Sequence, residues 1–235
     1  MNIPFFNYPA VYSKYRESFL EIFDRIGSKG SFIMQDELNN FEKKIADYSN
    51  CNFAVGVGNA TDALEMLLKV SGISDKDEVI ISSHTMIATA SAIASCGGKV
   101  IPVECGSDHL LDPKSVKNAI TSKTRCIMPT QLNGRIANMD ELCNLADNYG
   151  LLIIEDSAQA LGSKYKNKNA GTFGIGGCIS FYPAKVLGCL GDGGLILCND
   201  KDIYQKLIMM RDHGRDSTSG DVLLWGRNSR LDNLQ

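Results

Sequence analysis

The sequence predicts an α/β fold, a mostly parallel sheet flanked by helices on both faces. Seven short apolar runs rich in β-branched residues, at 53–58, 78–82, 99–104, 125–130, 151–156, 178–183 and 194–199, alternate with longer stretches of helical periodicity. Most of these runs are continuously apolar, the pattern of strands covered on both sides. With 235 residues, 44% hydrophobic and 22% charged, the chain can bury one large core.

In order along the chain, residues 1–50 read as an N-terminal helical segment packed on the core. Phe19, Leu20, Ile22 and Phe23, then Phe41 and Ile45, recur at helical spacing around a break at Gly27-Ser28-Lys29-Gly30. Residues 51–225 form the large domain. Its first strand ends at Gly56-Val57-Gly58, after which Asn59 or Thr61 can cap a helix bearing Ala63, Leu64, Leu67 and Leu68 on its apolar side. Met139 to Tyr149 repeats the pattern with Leu142, Cys143, Leu145 and Ala146, and Gly150 stops it. Residues 226–235 read as the start of a new helix that ends uncapped at Gln235, so a fragment is expected.

The net charge is −3 and no run of Lys and Arg stands out, which argues against a nucleic-acid partner. Eight cysteines contain no CxxC pair and lie mostly in apolar stretches, so they read as buried free thiols in a reducing cytoplasm, with no metal site. The first residues lack a signal core, and no apolar run is long enough to span a bilayer; a soluble, cytoplasmic protein without a membrane partner is the expectation.

In open α/β sheets, ligands bind beyond the carboxyl ends of the strands. Asp156 closes the apolar run Leu151-Leu152-Ile153-Ile154-Glu155, which places its carboxylate at such an end. In Ser180-Phe181-Tyr182-Pro183-Ala184-Lys185, alternation puts Ser180 and Tyr182 on one face, Pro183 ends the ladder, and Lys185 leaves the sheet beside the same edge. A lysine in a partly desolvated pocket becomes nucleophilic towards an aldehyde. The glycines that follow, Gly188 and Gly191-Asp192-Gly193-Gly194, allow positive φ and close backbone approach, and fit a plain β-turn equally well. At Gly58-Asn59-Ala60-Thr61 a strand end turns into a helix whose free N–H groups favour a phosphate. Asp62 and Glu65 in its first turns oppose a bound anion, so further donors are needed, and Ser180 is a candidate.

Five motifs in this order resemble the DegT/DnrJ/EryC1/StrS sugar aminotransferases over essentially the whole chain. They are Gly58-Asn59-Ala60-Thr61-Asp62-Ala63-Leu64; Asp77-Glu78-Val79-Ile80 with Ser83-His84-Thr85-Met86-Ile87-Ala88-Thr89; Glu155-Asp156-Ser157-Ala158-Gln159-Ala160; Ser180 through Lys185; and Arg211-Asp212-His213-Gly214 before Asn228-Ser229-Arg230-Leu231-Asp232. The resemblance implies a three-layer large domain of the aspartate-aminotransferase fold, type I of the pyridoxal-phosphate (PLP) enzymes. It implies that Lys185 forms the Schiff base, that Asp156 partners the pyridine nitrogen and that Gln159 lies near the ring oxygen. Ala60, Thr61 and Ser180 match the phosphate cradle, Met86 stands where an aromatic ring usually meets the cofactor, and Asn228 is supplied by the neighbouring subunit of a homodimer with a shared active site. Two further departures are Ala60 for a common glycine and Gln131-Leu132-Asn133 where a His followed by an aromatic is frequent.

The implied partners are an amino-acid donor such as glutamate and a nucleotide-linked keto-deoxysugar, with Arg215, Arg227 and Arg230 as candidate diphosphate contacts. Residues 226–235 then start the connection to a missing C-terminal small domain, and a truncated non-catalytic relative is an alternative. A sugar dehydratase on the same scaffold is another; it would carry histidine in place of Lys185.

Overall fold

A computed structural model describes residues 3–235. All seven apolar runs are strands of one sheet: β1 (Phe53–Val57), β2 (Glu78–Ser82), β3 (Lys99–Val103), β4 (Thr124–Met128), β5 (Leu152–Asp156), β8 (Gly176–Ser180) and β9 (Gly194–Cys198). A two-stranded hairpin, β6 (Lys164–Tyr165) and β7 (Lys168–Asn169), projects between β5 and β8 in the chain. The sheet order is β1-β9-β8-β5-β4-β2-β3; β9 runs antiparallel to both neighbours and the other pairings are parallel.

The period-two geometry of a strand divides the core into layers. Val79, Ile81, Cys126 and Met128 face α3 (Ala60–Val70), α4 (Ile87–Ser95) and α7 (Lys201–Arg211), while Ile80, Ile127 and Ile153 face α5 (Pro113–Ala119) and α6 (Met139–Tyr149). Near β1, Leu195 and Leu197 turn instead to a third cluster under α2 (Asp36–Tyr48), with Leu38, Ile45 and Phe181. The α6 helix has the expected bounds, capped by the Asn138 side chain and ended by Gly150 in the left-handed region at φ 64°. For α3, the choice between two caps resolves to Asn59, whose side chain accepts from the Asp62 N–H at 2.8 Å.

Two expectations are corrected. The first fifty residues do form α1 (Tyr8–Lys29) and α2, separated at Gly30, but only α2 packs on the core. Of the 22 residues of α1 only Ile26 is buried, and Tyr12, Tyr15, Leu20 and Phe23 are exposed; its apolar spacing marks a face that nothing among the described residues covers. Residues 226–235 do not form a helix. Their backbone groups are taken by distant partners, Ser229 N–H by the Arg211 carbonyl (3.0 Å) and Asn233 N–H by that of Phe32 (2.9 Å), and Leu231 is buried among Leu38 and Phe181.

Among the described residues no helix is long and apolar enough to cross a membrane, and no cluster of His, Cys, Asp and Glu could hold a metal. All eight cysteines are free; Cys126, Cys178, Cys189 and Cys198 are buried and the other four half-buried.

Candidate active site

A cleft of about 1280 Å³ opens where β4, β5 and β8 end and α3 begins. Its walls bring together Ala60, Thr61, Met86, Asp156, Gln159, Ser180 and Lys185. These residues come from four separate segments, and the parallel order of the sheet is what makes their strand ends neighbours.

Asp156 ends β5 and is 4% exposed. Its Oδ2 accepts from the Thr89 hydroxyl at 2.6 Å and its Oδ1 from the Ala158 N–H at 3.2 Å, with the Cys178 thiol at 3.5 Å. Burial and the adjacent Asp156 charge push the Cys178 thiol well above its ordinary range, so it stays protonated.

Lys185 is half-buried, at the end of a turn in which its N–H donates to the Tyr182 carbonyl at 2.8 Å. Among the described residues its ammonium joins no ion pair. Ser180 is buried at the end of β8, where its Oγ accepts the Tyr182 N–H at 3.3 Å and its hydroxyl proton remains to donate. The Gln159 Oε1 accepts from the Asn133 N–H at 2.9 Å, which leaves its amide hydrogens to give to a ligand oxygen. Met86 begins α4 and is 63% exposed, its thioether free to meet an apolar ring.

At the start of α3 the Asn59 side chain takes the Asp62 N–H, while Ala60 and Thr61 N–H have no protein acceptor among the described residues. Two orphan donors at the positive end of an 11-residue helix suit an anion. The expected opposition from Asp62 and Glu65 is offset within the chain. Arg227 lies 3.0 Å from Asp62 and 2.8 Å from Glu65, and Lys69 2.6 Å from Glu65. Burial alone would raise the Glu65 carboxyl, yet its bonds to Lys69 and Arg227 hold it below the usual carboxylate range. Arg227 is therefore engaged in the fold, and Arg230 pairs with Asp212 at 3.0 Å; of the three candidate arginines only Arg215 remains largely exposed. Asn228 is exposed and lies outside this cleft, its backbone bridged to Asp212.

The glycines after Lys185 do not adopt positive φ. They serve close approach: a Cβ at Gly188 would meet the Pro183 carbonyl oxygen at 2.6 Å, and one at Gly194 would meet the Ala60 nitrogen at 2.7 Å and the Asn59 oxygen at 2.8 Å. Gly194→Ala is expected to cost about 1–3 kcal/mol through overpacking. The displaced backbone carries the two orphan N–H groups, so the parent protein is expected to gain thermal midpoint from inorganic phosphate and the variant to gain less. An unchanged phosphate response would separate β9 from the donor site.

Sequence reasoning missed the layer beneath the cleft. Glu155 points to the opposite side of β5 from Asp156 and is wholly buried. It accepts from Gln131 Nε2 at 2.7 Å and from the Phe173 N–H at 2.6 Å, while Gln131 Oε1 accepts from the Ala137 N–H at 2.8 Å. Gln131, noted as a departure from the family pattern, thus ties the loop after β4 to the carboxyl beneath. Burial pushes the Glu155 carboxyl from 4.5 up to about 7, against the pull of Gln131, the Phe173 and Gly171 N–H groups and Lys168. A carboxyl raised by folding stabilises the fold in its protonated form, fully below pH 4.5 and progressively less as pH climbs through about 7. Thermal midpoints measured across that window should therefore fall more steeply for the parent than for Glu155→Gln; parallel curves would remove Glu155 from the pH dependence.

The model of the DegT/DnrJ/EryC1/StrS aminotransferase family matches residues 14–235. The dTDP-3-amino-3,4,6-trideoxy-α-D-glucose transaminase of Streptomyces venezuelae is 40% identical over 235 residues, covering 99% of this chain and 62% of the relative. The crystal structure of DesV from S. venezuelae, in complex with a ketimine intermediate, superposes with a TM-score of 0.94 at 40% identity over 99% of this chain and 63% of that one. NtdA from Bacillus subtilis, with bound cofactor PMP, superposes at 0.92 with 29% identity, over 100% of this chain and 54% of that one. The fold is thus the large domain expected of a PLP transferase, and the chain spans less than two thirds of the length of these relatives.

Proposed function

Because the chain belongs to the DegT/DnrJ/EryC1/StrS aminotransferase family, we propose that the protein is a PLP-dependent aminotransferase that moves an amino group from glutamate, or a similar amino acid, to a nucleotide-linked keto-deoxysugar. The observation that carries this reading is the convergence on one cleft of a buried carboxylate, a lysine without a counter-charge and two orphan N–H donors.

The donor set fits pyridoxal 5'-phosphate. Ala60 and Thr61 N–H with the Ser180 hydroxyl would hold the phosphate, Gln159 would donate to the ring oxygen, Asp156 would accept from the pyridine nitrogen, and Met86 would pack on the ring. When bound, the cofactor supplies an aldehyde carbon for the amino group and a ring that withdraws electrons. Asp156, held by the Thr89 hydroxyl, the Ala158 N–H and the Cys178 thiol, would keep a proton on the ring nitrogen in place. Lys185 Nζ would be the amine that holds the cofactor, and as a free amine it would move the substrate proton as base and acid. A histidine at this position would mark the dehydratase alternative, and the residue is Lys185.

The nucleotide linkage rests on the relatives' substrates. The product amino sugar would serve surface polysaccharide or a glycosylated product, made in the cytoplasm. The outward-facing Asn228 suits a homodimer in which it reaches the phosphate of the neighbouring subunit.

The test is the absorption spectrum of the purified protein with added PLP, before and after borohydride, followed by peptide mass mapping. A pyridoxyl adduct on Lys185 is the expected result; a folded protein with no adduct, or with one on another lysine, would overturn the reading.

A further inference from the structure

Three threonines from two segments, the entry to α4 and the extension of β4, form an unbroken chain of hydroxyls that ends on Asp156. Thr130 Oγ1 lies 2.7 Å from Thr85 Oγ1, Thr85 Oγ1 2.7 Å from Thr89 Oγ1, and Thr89 Oγ1 2.6 Å from Asp156 Oδ2. Thr89 and Thr130 are buried at 0% and 5% exposure, and Thr85 is half-buried. An ionised carboxylate can only accept and each hydroxyl has one proton, so the direction of the chain is fixed. Thr89 donates to Asp156, Thr85 to Thr89, and Thr130 to Thr85.

The chain also closes on itself. The Asp156 N–H donates to the Pro129 carbonyl at 2.9 Å, and the Gln131 N–H donates to the Asp156 carbonyl at 2.9 Å, so Thr130 sits on the strand extension beside Asp156. The carboxylate is therefore gripped by its own backbone pairing and, through three hydroxyls, by the neighbouring strand and the first turns of α4. Oδ2 is bound to Thr89 and Oδ1 to the Ala158 N–H and the Cys178 thiol, and Asp156 lines the cleft.

We infer that Thr89 and Thr85 are positioning residues for Asp156, forming a one-way hydroxyl wire that sets which carboxylate lone pair meets the ring nitrogen of the cofactor; this rests on the PLP reading above. A hydrogen bond to a charged group in a buried setting is worth roughly a factor of ten or more in binding. Loss of the wire leaves Asp156 in place but held through Oδ1 alone, by the Ala158 N–H and the Cys178 thiol, so the effect belongs on the cofactor's electronics rather than on its covalent attachment. The order of effects follows from the direction: removal of the Thr89 hydroxyl strips Asp156 directly, whereas removal of the Thr85 hydroxyl leaves the Thr89 donor intact.

The test compares the parent chain with Thr89→Val, Thr85→Val and Thr89→Ser. Each is reconstituted with PLP and titrated by visible absorption over pH, with PLP affinity measured in parallel. Thr89→Val is expected to move the pH midpoint of the bound-cofactor absorbance and weaken PLP binding by about tenfold, Thr85→Val to do less, and Thr89→Ser to restore both. A lowered thermal midpoint in Thr89→Val with an unmoved absorbance midpoint and unchanged affinity would make the wire purely structural and overturn the inference. A folded parent chain that binds no PLP sinks the functional reading instead. In that event the carboxyl carbon-13 signal of Asp156 in the ligand-free chain decides on the wire: a change on Thr89→Val that Thr89→Ser reverses supports it, and an unchanged signal overturns it.

Discussion

Lys185→Ala is expected to abolish the borohydride-reducible absorbance completely, whereas Asp156→Asn should retain the attachment at Lys185 and lose transfer by about 10²-fold or more. The two outcomes differ because the two residues act on different atoms. Lys185 is the cleft's only lysine, half-buried and without a carboxylate partner among the described residues, so nothing nearby can replace its amine. In Asp156→Asn the shape is kept, and the amide oxygen can still accept from Thr89, but the carboxylate proposed to hold a proton on the ring nitrogen is gone. The half-reaction with glutamate, followed by absorbance in a single turnover, reads the second effect without needing the sugar acceptor. Retained absorbance in Lys185→Ala would mean that another lysine carries the cofactor. Full-speed transfer in Asp156→Asn would mean that the carboxylate does not control the ring.

The features legible in the sequence were those with a local signature. All seven strands could be read because each is a short, largely apolar run rich in β-branched residues, and α6 because Asn138 and Gly150 bracket its periodicity. Asp156, Lys185 and the α3 donors could be placed in one cleft because each ends a strand or begins a helix of the same sheet. The hydroxyl wire was not legible, since Thr85, Thr89 and Thr130 are ordinary residues whose partners lie up to 67 positions away. The Glu155–Gln131 pair was hidden for the same reason. Periodicity also misled at α1, where it reports an apolar face without saying what covers it, and at residues 226–235, where the pairings with Arg211 and Phe32 override local helical preference. The role of Arg227 was misjudged because its carboxylate partners, Asp62 and Glu65, stand more than 160 residues earlier in the chain.

Arg211→Met should be the most damaging substitution outside the cleft, at about 3–5 kcal/mol of stability. Arg211 is 4% exposed and pairs with Glu42, itself 7% exposed, through Nη1, which also donates to the Gly56 carbonyl at 3.1 Å. Glu42 in turn accepts the Gly56 N–H at 2.7 Å, so the pair clasps both backbone groups of one residue in β1 and pins α2 and α7 to it. A Cβ at Gly56 would lie 2.7 Å from the Leu38 methyl carbon, 3.1 Å from the Leu231 Cβ and 3.3 Å from the Glu42 carboxylate, so the Leu38 side chain would have to give way. Removal of the guanidinium leaves Glu42 buried with an uncompensated charge, and that stranded charge, rather than the lost attraction, is the main cost. Glu42→Gln keeps an acceptor for the Gly56 N–H while removing the charge, so Arg211→Met combined with Glu42→Gln should recover much of the loss. A double-mutant cycle by urea unfolding measures this, and strictly additive effects would dissolve the coupling. The damage should also reach the cleft. The Arg211 carbonyl accepts the Ser229 N–H, and the Ser229 hydroxyl receives the Gly58 N–H at 3.0 Å and donates to Asp62 at 2.6 Å, in the first turn of α3. A destabilised Arg211 variant that stays folded should therefore lose PLP affinity as well, although no atom of Arg211 faces the cofactor site.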